Sequence, residues 1–165
     1  MMEFIYPDGA YRNMDSDELL DFIVDSKRKG YASGKSSPNK TMKGSHEIFI
    51  QKNDLAYRDV WFGSLTFTGI ETVLQNDKPV WGMAYSGGIL DEDGNREKIF
   101  SFLKKALYLV DREAPYRGPK SYTDGIMTYH NEFSGEFDYF MGYESIEDDS
   151  GITYELHYSG GSIIE

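Results

Sequence analysis

The chain has no cysteine, which excludes a disulfide framework, a thiolate nucleophile and any cysteine-containing zinc site. Basic residues are scarce: 17 Lys and Arg stand against 28 Asp and Glu, a formal net charge of −11. That balance argues against DNA binding by counterion release over the protein as a whole, and favours basic or cationic partners. No apolar run approaches the roughly 18 residues of a membrane span, and Met1 to Tyr6 lacks the plan of a signal peptide. A cytoplasmic protein without membrane contact is expected. The three histidines, His46, His130 and His157, are far apart and none stands in an HxxxH or HExxH arrangement. A metal would need two of them together with a carboxylate, such as His130 and Glu132 on one strand face with His157, and no metal or cofactor is expected.

What the chain has in quantity is aromatic surface. Its 165 residues are 39% hydrophobic and include 13 Tyr and 10 Phe, enough to bury for a single folded domain over 1–165. Asp15 to Glu18 spell D-x-x-E ahead of Leu19, Leu20, Phe22, Ile23 and Val24, and Gly30 follows Lys27-Arg28-Lys29. A capping box, an amphipathic run and a terminal glycine predict a helix over about 16–29. Ile99, Leu103, Ala106, Leu107 and Val110 recur at helical spacing and predict a second helix from about Asn95 to Glu113, with Phe100, Phe102 and Leu109 off its stripe. Four strand-like segments follow the first helix (46–52, 56–62, 65–75, 79–86) and three follow the second (126–132, 136–146, 153–159), with Asp148 to Gly151 as a hairpin turn. Segments so close in sequence can pair only antiparallel. The class is α+β, with two helices and about seven mainly antiparallel strands.

Residues 67–90 align without gaps on residues 140–163, at an offset of 73. Seven of the 24 positions are identical, among them Gly69/Gly142, Glu71/Glu144 and the Tyr-Ser-Gly-Gly runs at Tyr85 and Tyr158. Generic hairpins share alternation but not such a run. This predicts two pseudo-repeats of an αβββ-type unit, about 16–90 and 95–164, arising from duplication.

Tyr31-Ala32 after a helix, then Trp61-Phe62-Gly63, Gly69-x-Glu71, Pro79-Val80-Trp81-Gly82-Met83 and Tyr154-Glu155-Leu156-x-Tyr158-x-Gly160-Gly161 resemble an uncharacterised bacterial domain family. That family occurs alone or behind an XRE-type helix-turn-helix in transcriptional regulators. The resemblance covers about residues 17–163 and implies no activity and no catalytic residues. Fifteen residues before the first helix are too few for a DNA-binding unit of that kind.

Several segments imitate known sites and fail on mechanism. Gly30 to Ser36 has three residues between its glycines where a phosphate loop needs four, and follows a helix instead of a strand. Asp91 to Asn95 opens like a calcium loop, but Arg96 and Phe102 stand where glycine and glutamate are required, so these acids are expected to cap the second helix. The stretch Gly30 to Ser45, with Lys35, Lys40 and Lys43, is expected to be a mobile solvated loop. No nucleophile and base pair stands out, and a non-enzymatic role is favoured.

Glu71 and Glu144 interrupt largely apolar rows at the same place in both repeats: Leu65, Phe67, Gly69, Glu71, Val73 and Asp138, Phe140, Gly142, Glu144, Ile146. If these rows face the core, each carboxylate needs a partner, a proton or a cationic ligand. The opposite rows, with Ile70, Leu74, Met141 and Tyr143, could equally be the core. Trp61, Trp81, Tyr85, Tyr154 and Tyr158 lie near those acids, with Gly69, Gly82 and Gly142 leaving space beside them. Aromatic walls, glycine gaps and a carboxylate suit a flat or cationic small molecule. The plan is similar to that of duplicated gyrase-inhibitor-like sensor domains, which implies a pocket between the halves. The expected function is small-molecule binding or sensing by Trp61, Glu71, Trp81, Tyr85, Glu144, Tyr154 and Tyr158. The alternative is an acidic module that docks on, or inhibits, a basic protein surface.

Overall fold

A computed structural model describes residues 16–33, 41–90 and 95–164 of the chain. Asp15, residues 34–40 of the stretch expected to be mobile, with Lys35 and Lys40 among them, and the run from Asp91 to Gly94 lie outside the described residues.

The first half contains α1 (Ser16–Lys29), a short 3-10 turn (Tyr31–Ser33) and four strands, β1 (His46–Lys52), β2 (Leu55–Gly63), β3 (Thr66–Gln75) and β4 (Lys78–Ile89). The second contains α2 (Arg96–Tyr108) and β5 (Ser121–Asp124), β6 (Met127–Glu136), β7 (Tyr139–Asp148) and β8 (Gly151–Ser162). All eight strands form one antiparallel sheet in the order β1-β2-β3-β4-β8-β7-β6-β5. The α+β class is as expected. Each half carries four strands, however, where the sequence pattern suggested four and three. β5 escaped because it is a four-residue edge strand with an exposed, polar pattern, which carries no periodic signal. α2 also stops at Leu109, short of Glu113: the backbone N–H groups of Glu113 and Ala114 turn to the Asp111 side chain at 3.0 and 3.1 Å. Asn95 caps its start by accepting from the Lys98 N–H at 3.0 Å; the acids expected to cap it lie outside the described residues.

The sheet is mirrored about the pairing of β4 with β8, where Tyr85 lies opposite Tyr158. The correspondence extends to local irregularities. The register shifts between Val73 and Leu74 in one hairpin and between Ile146 and Glu147 in the other, 73 residues on. Gly88 and Gly161 have φ of 153° and 157°, and an added Cβ at either would lie about 2.1–2.2 Å from a backbone carbonyl oxygen, so only glycine fits.

Both helices cover the same face of the sheet. Strand alternation sends Tyr57, Val73, Trp81 and Met83 of the first half inward with Tyr129, Phe140, Ile146 and Leu156 of the second. Ile23 of α1 and Leu103 of α2 close over them, both fully buried. The rows that carry Glu71 and Glu144 are therefore the core rows. Ile70 and Met141 stand on the uncovered face, 50% and 49% exposed.

Candidate functional site

Two carboxylates sit inside this core, at 3% exposure for Glu71 and none for Glu144. Neither waits for an external cation. Lys27 on α1 donates to Glu71 and, at 2.8 Å, to the carbonyl of Tyr116. Arg117 grips Glu144 with both arms, Nη2 to Oε1 at 2.6 Å and Nε to Oε2 at 3.1 Å. The hydroxyls of Tyr129 and Tyr154 complete the Glu144 shell at 2.5 and 2.9 Å. Burial pulls the Arg117 guanidinium down, but Glu144 together with Tyr154 and Tyr129 outweighs it and holds the group well above its usual range. Lys27 goes the other way, pulled below the usual lysine range by burial despite Glu71.

Beside these pairs lies a cavity of about 260 Å³. Its floor comes from first-half strands only, through Asp59, Trp61, Phe67, Glu71 and Tyr85. Tyr31 and Ala32 form one wall, while Phe100, Leu103 and Lys104 of α2 and the turn at Tyr116 and Arg117 close the other. Trp61 is stacked on His46 at 5.3 Å and meets Tyr31 edge-on at 6.1 Å. The pocket thus combines one half's sheet with the other half's helix and is not centred on the pseudo-twofold axis that the repeat suggested.

Asp59 is the group in this pocket with least compensation. It is 5% exposed and accepts the Tyr85 hydroxyl on Oδ1 at 2.6 Å, and among the described residues it forms no ion pair. Burial, reinforced by Glu71, pushes its carboxyl up to about 7; the Tyr85 hydrogen bond, Lys27 and Arg117 oppose that. The same surroundings raise the hydroxyls of Tyr57 and Tyr85, chiefly by burial. Burial also pushes Tyr31 up to about 12.

Of the residues expected to form the site, Trp61, Glu71 and Tyr85 come together on the cavity wall. Trp81 does not. It is fully buried beneath, stacked between Phe137 and Phe140 at 5.9 and 5.7 Å, with the Lys27 ammonium over its ring at 5.8 Å. Glu144, Tyr154 and Tyr158 belong to the closed second-half network, Tyr158 donating to Asn131 at 2.7 Å. The histidines stay apart: His130 contacts Glu147 at 3.0 Å and His157 packs on Tyr143 at 4.8 Å. Among the described residues no group of three metal-ligating side chains is assembled.

Asp59, Lys27 and Arg117 were not anticipated from sequence. A signal for the first existed. The β2–β3 turn is one residue shorter than the β6–β7 turn, so the match ends at Phe67 unless a gap is opened there. With that gap Tyr57-x-Asp59-x-Trp61-x-Gly63 falls on Tyr129-x-Asn131-x-Phe133-x-Gly135. The structure places these residues equivalently, Asp59 opposite Glu71 and Asn131 opposite Glu144.

Compared with known proteins, residues 59–163 match the profile of DUF5680, a domain of unknown function. No curated protein and no solved structure matches the chain.

Proposed function

We propose that this chain, which belongs to the DUF5680 family, is a small-molecule binding or sensing module whose ligand occupies the first-half cavity. One observation carries the reading: a 260 Å³ cavity with aromatic walls is built around a buried carboxylate that has no cationic partner of its own. Burying an unpaired charge is costly, and carboxyls so perturbed in a cleft concentrate at functional sites. A few convergent polar groups in an otherwise apolar hollow are what small-molecule sites have in common. No helix among the described residues is long and apolar enough to cross a membrane, and the reading invokes none.

The test is a thermal-shift panel of aromatic amines, aromatic acids and neutral aromatics on the wild type and on Ser64→Trp. Ser64 is an exposed turn residue on the cavity wall, so an indole there obstructs the hollow without touching the core. We expect at least one class to raise the melting temperature of the wild type and to lose that effect in Ser64→Trp. Equal stabilisation of both proteins, or of neither, would overturn the reading.

A further inference from the structure

The second half contains the same hollow, filled by the chain itself, and so displays what an occupant looks like. The Tyr116 ring stacks on Phe140 with centroids 3.9 Å apart and meets Phe133 edge-on at 5.1 Å. The Gly118 backbone takes the polar contacts. Its carbonyl accepts from Asn131 Nδ2 at 2.8 Å, and its N–H donates to the Tyr129 hydroxyl at 3.0 Å. In the first half Phe67 stands for Phe140, Trp61 for Phe133 and Asp59 for Asn131. Among the described residues the rings nearest Phe67 are Tyr85, Phe100 and Tyr154, at 6.2–6.5 Å and none of them stacked. One face of Phe67 therefore looks into the cavity, and no backbone group among the described residues meets Asp59.

The exchange of Asn for Asp changes what that occupant must offer. Asn131 donates to its occupant, whereas Asp59 once ionised can only accept, and an occupant that brings a positive charge favours that form. Charge points the same way. In the buried cluster three carboxylates, Asp59, Glu71 and Glu144, face two cations, Lys27 and Arg117, and each cation already holds a glutamate. Lys104, half-buried on α2, directs its ammonium onto the Tyr31 ring at 5.5 Å. The carboxylate in excess is Asp59.

We infer that the first-half cavity takes a flat aromatic cation bearing at least one N–H, its ring against Phe67 and Trp61 and its N–H on Asp59. This rests on reading the cavity as a ligand site, and it adds a requirement that aromatic walls alone would not impose. A quaternary ammonium satisfies those walls by cation–π attraction but has no hydrogen to donate; a neutral ring satisfies them by area and brings no charge. Charge-assisted hydrogen bonds are the stronger kind, and the cavity's low dielectric favours them.

Calorimetric titration with three probes of one ring size separates these cases: benzylamine, benzyltrimethylammonium and benzyl alcohol. Benzylamine should bind wild type at least about tenfold more tightly than either analogue. Asp59→Asn should remove that preference while leaving benzyl alcohol unchanged. Asn131 already occupies the equivalent setting, so this substitution is compatible with the fold, and the wild-type ranking stands without it. Equal binding of benzyltrimethylammonium or benzyl alcohol would overturn the N–H cation while the cavity keeps its role. The same holds if all three fail and another class from the wider panel binds. Failure of every compound in both experiments would overturn the two together.

Discussion

Asp59 and Asn131 occupy the same position in the two halves of one sheet, each accepting a tyrosine hydroxyl, from Tyr85 at 2.6 Å and from Tyr158 at 2.7 Å. The two differ by one heavy atom. Where Asn131 sits, the chain folds back and fills the space; where Asp59 sits, the space stays open.

Stability should record that difference as a function of pH. The unfolded chain releases the Asp59 proton near 3.8, whereas the folded protein holds it up to about 7, through burial and Glu71 and against Tyr85, Lys27 and Arg117. Between those values the folded state binds more protons, so stability falls as pH rises from about 4 to 7 and is flat above. Asp59→Asn removes this component. Denaturation midpoints at pH 4 and pH 8 should separate the two proteins at pH 8, with the variant more stable by on the order of 2–4 kcal/mol, and bring them together at pH 4.

The pair Arg117–Glu144 should behave as a unit. Arg117→Met leaves Glu144 buried beside two tyrosines without its cation, and should cost about 3–5 kcal/mol in urea unfolding. Adding Glu144→Gln to that variant should restore part of the loss, because the uncompensated charge goes with it.

Two glycines make room for the tyrosines. A Cβ at Gly69 would lie 2.4 Å from the Tyr85 hydroxyl oxygen, and one at Gly142 would lie 2.2 Å from the Tyr158 ring. Gly142→Ala and Gly69→Ala should each destabilise by about 1–3 kcal/mol, read as a drop of several degrees in melting temperature. Gly69→Ala should in addition displace Tyr85 from Asp59 and, by removing a hydrogen bond that holds its carboxyl down, deepen the loss of stability with rising pH predicted above.

The chain has two tryptophans, one on the cavity wall and one buried beneath it. In Trp81→Phe the remaining indole, Trp61, should change its emission on titration with benzylamine; in Trp61→Phe the response should be absent. A response carried by Trp81 instead would place the ligand elsewhere.

Most of the architecture was legible in the chain because its signals are local: helical spacing in α1 and α2, alternation and turn residues in the hairpins, and a repeat strong enough to align by eye. The glutamates were legible for the same reason, as charged interruptions of apolar rows. Their partners were not. Lys27 reads as one of three bases suited to a helix C-terminus, and Arg117 as a loop residue after a proline. Only the three-dimensional path brings them to carboxylates 44 and 27 residues away. Asp59 was hidden by a single extra residue in one turn, enough to break a gapless alignment where the site begins.

The order of strands also fixes how the chain can assemble itself. Six of the seven pairings join strands that follow one another directly in sequence; the seventh, β4 with β8, joins residues about 70 positions apart. Each four-stranded meander can zip up by closing short loops at small entropic cost. Closing that one seam therefore carries the largest loop-closure cost in the sheet. Tyr85 and Tyr158 face each other across it, and the cavity takes its far wall from the half beyond it, so a chain with the seam open has no hollow for a ligand to occupy.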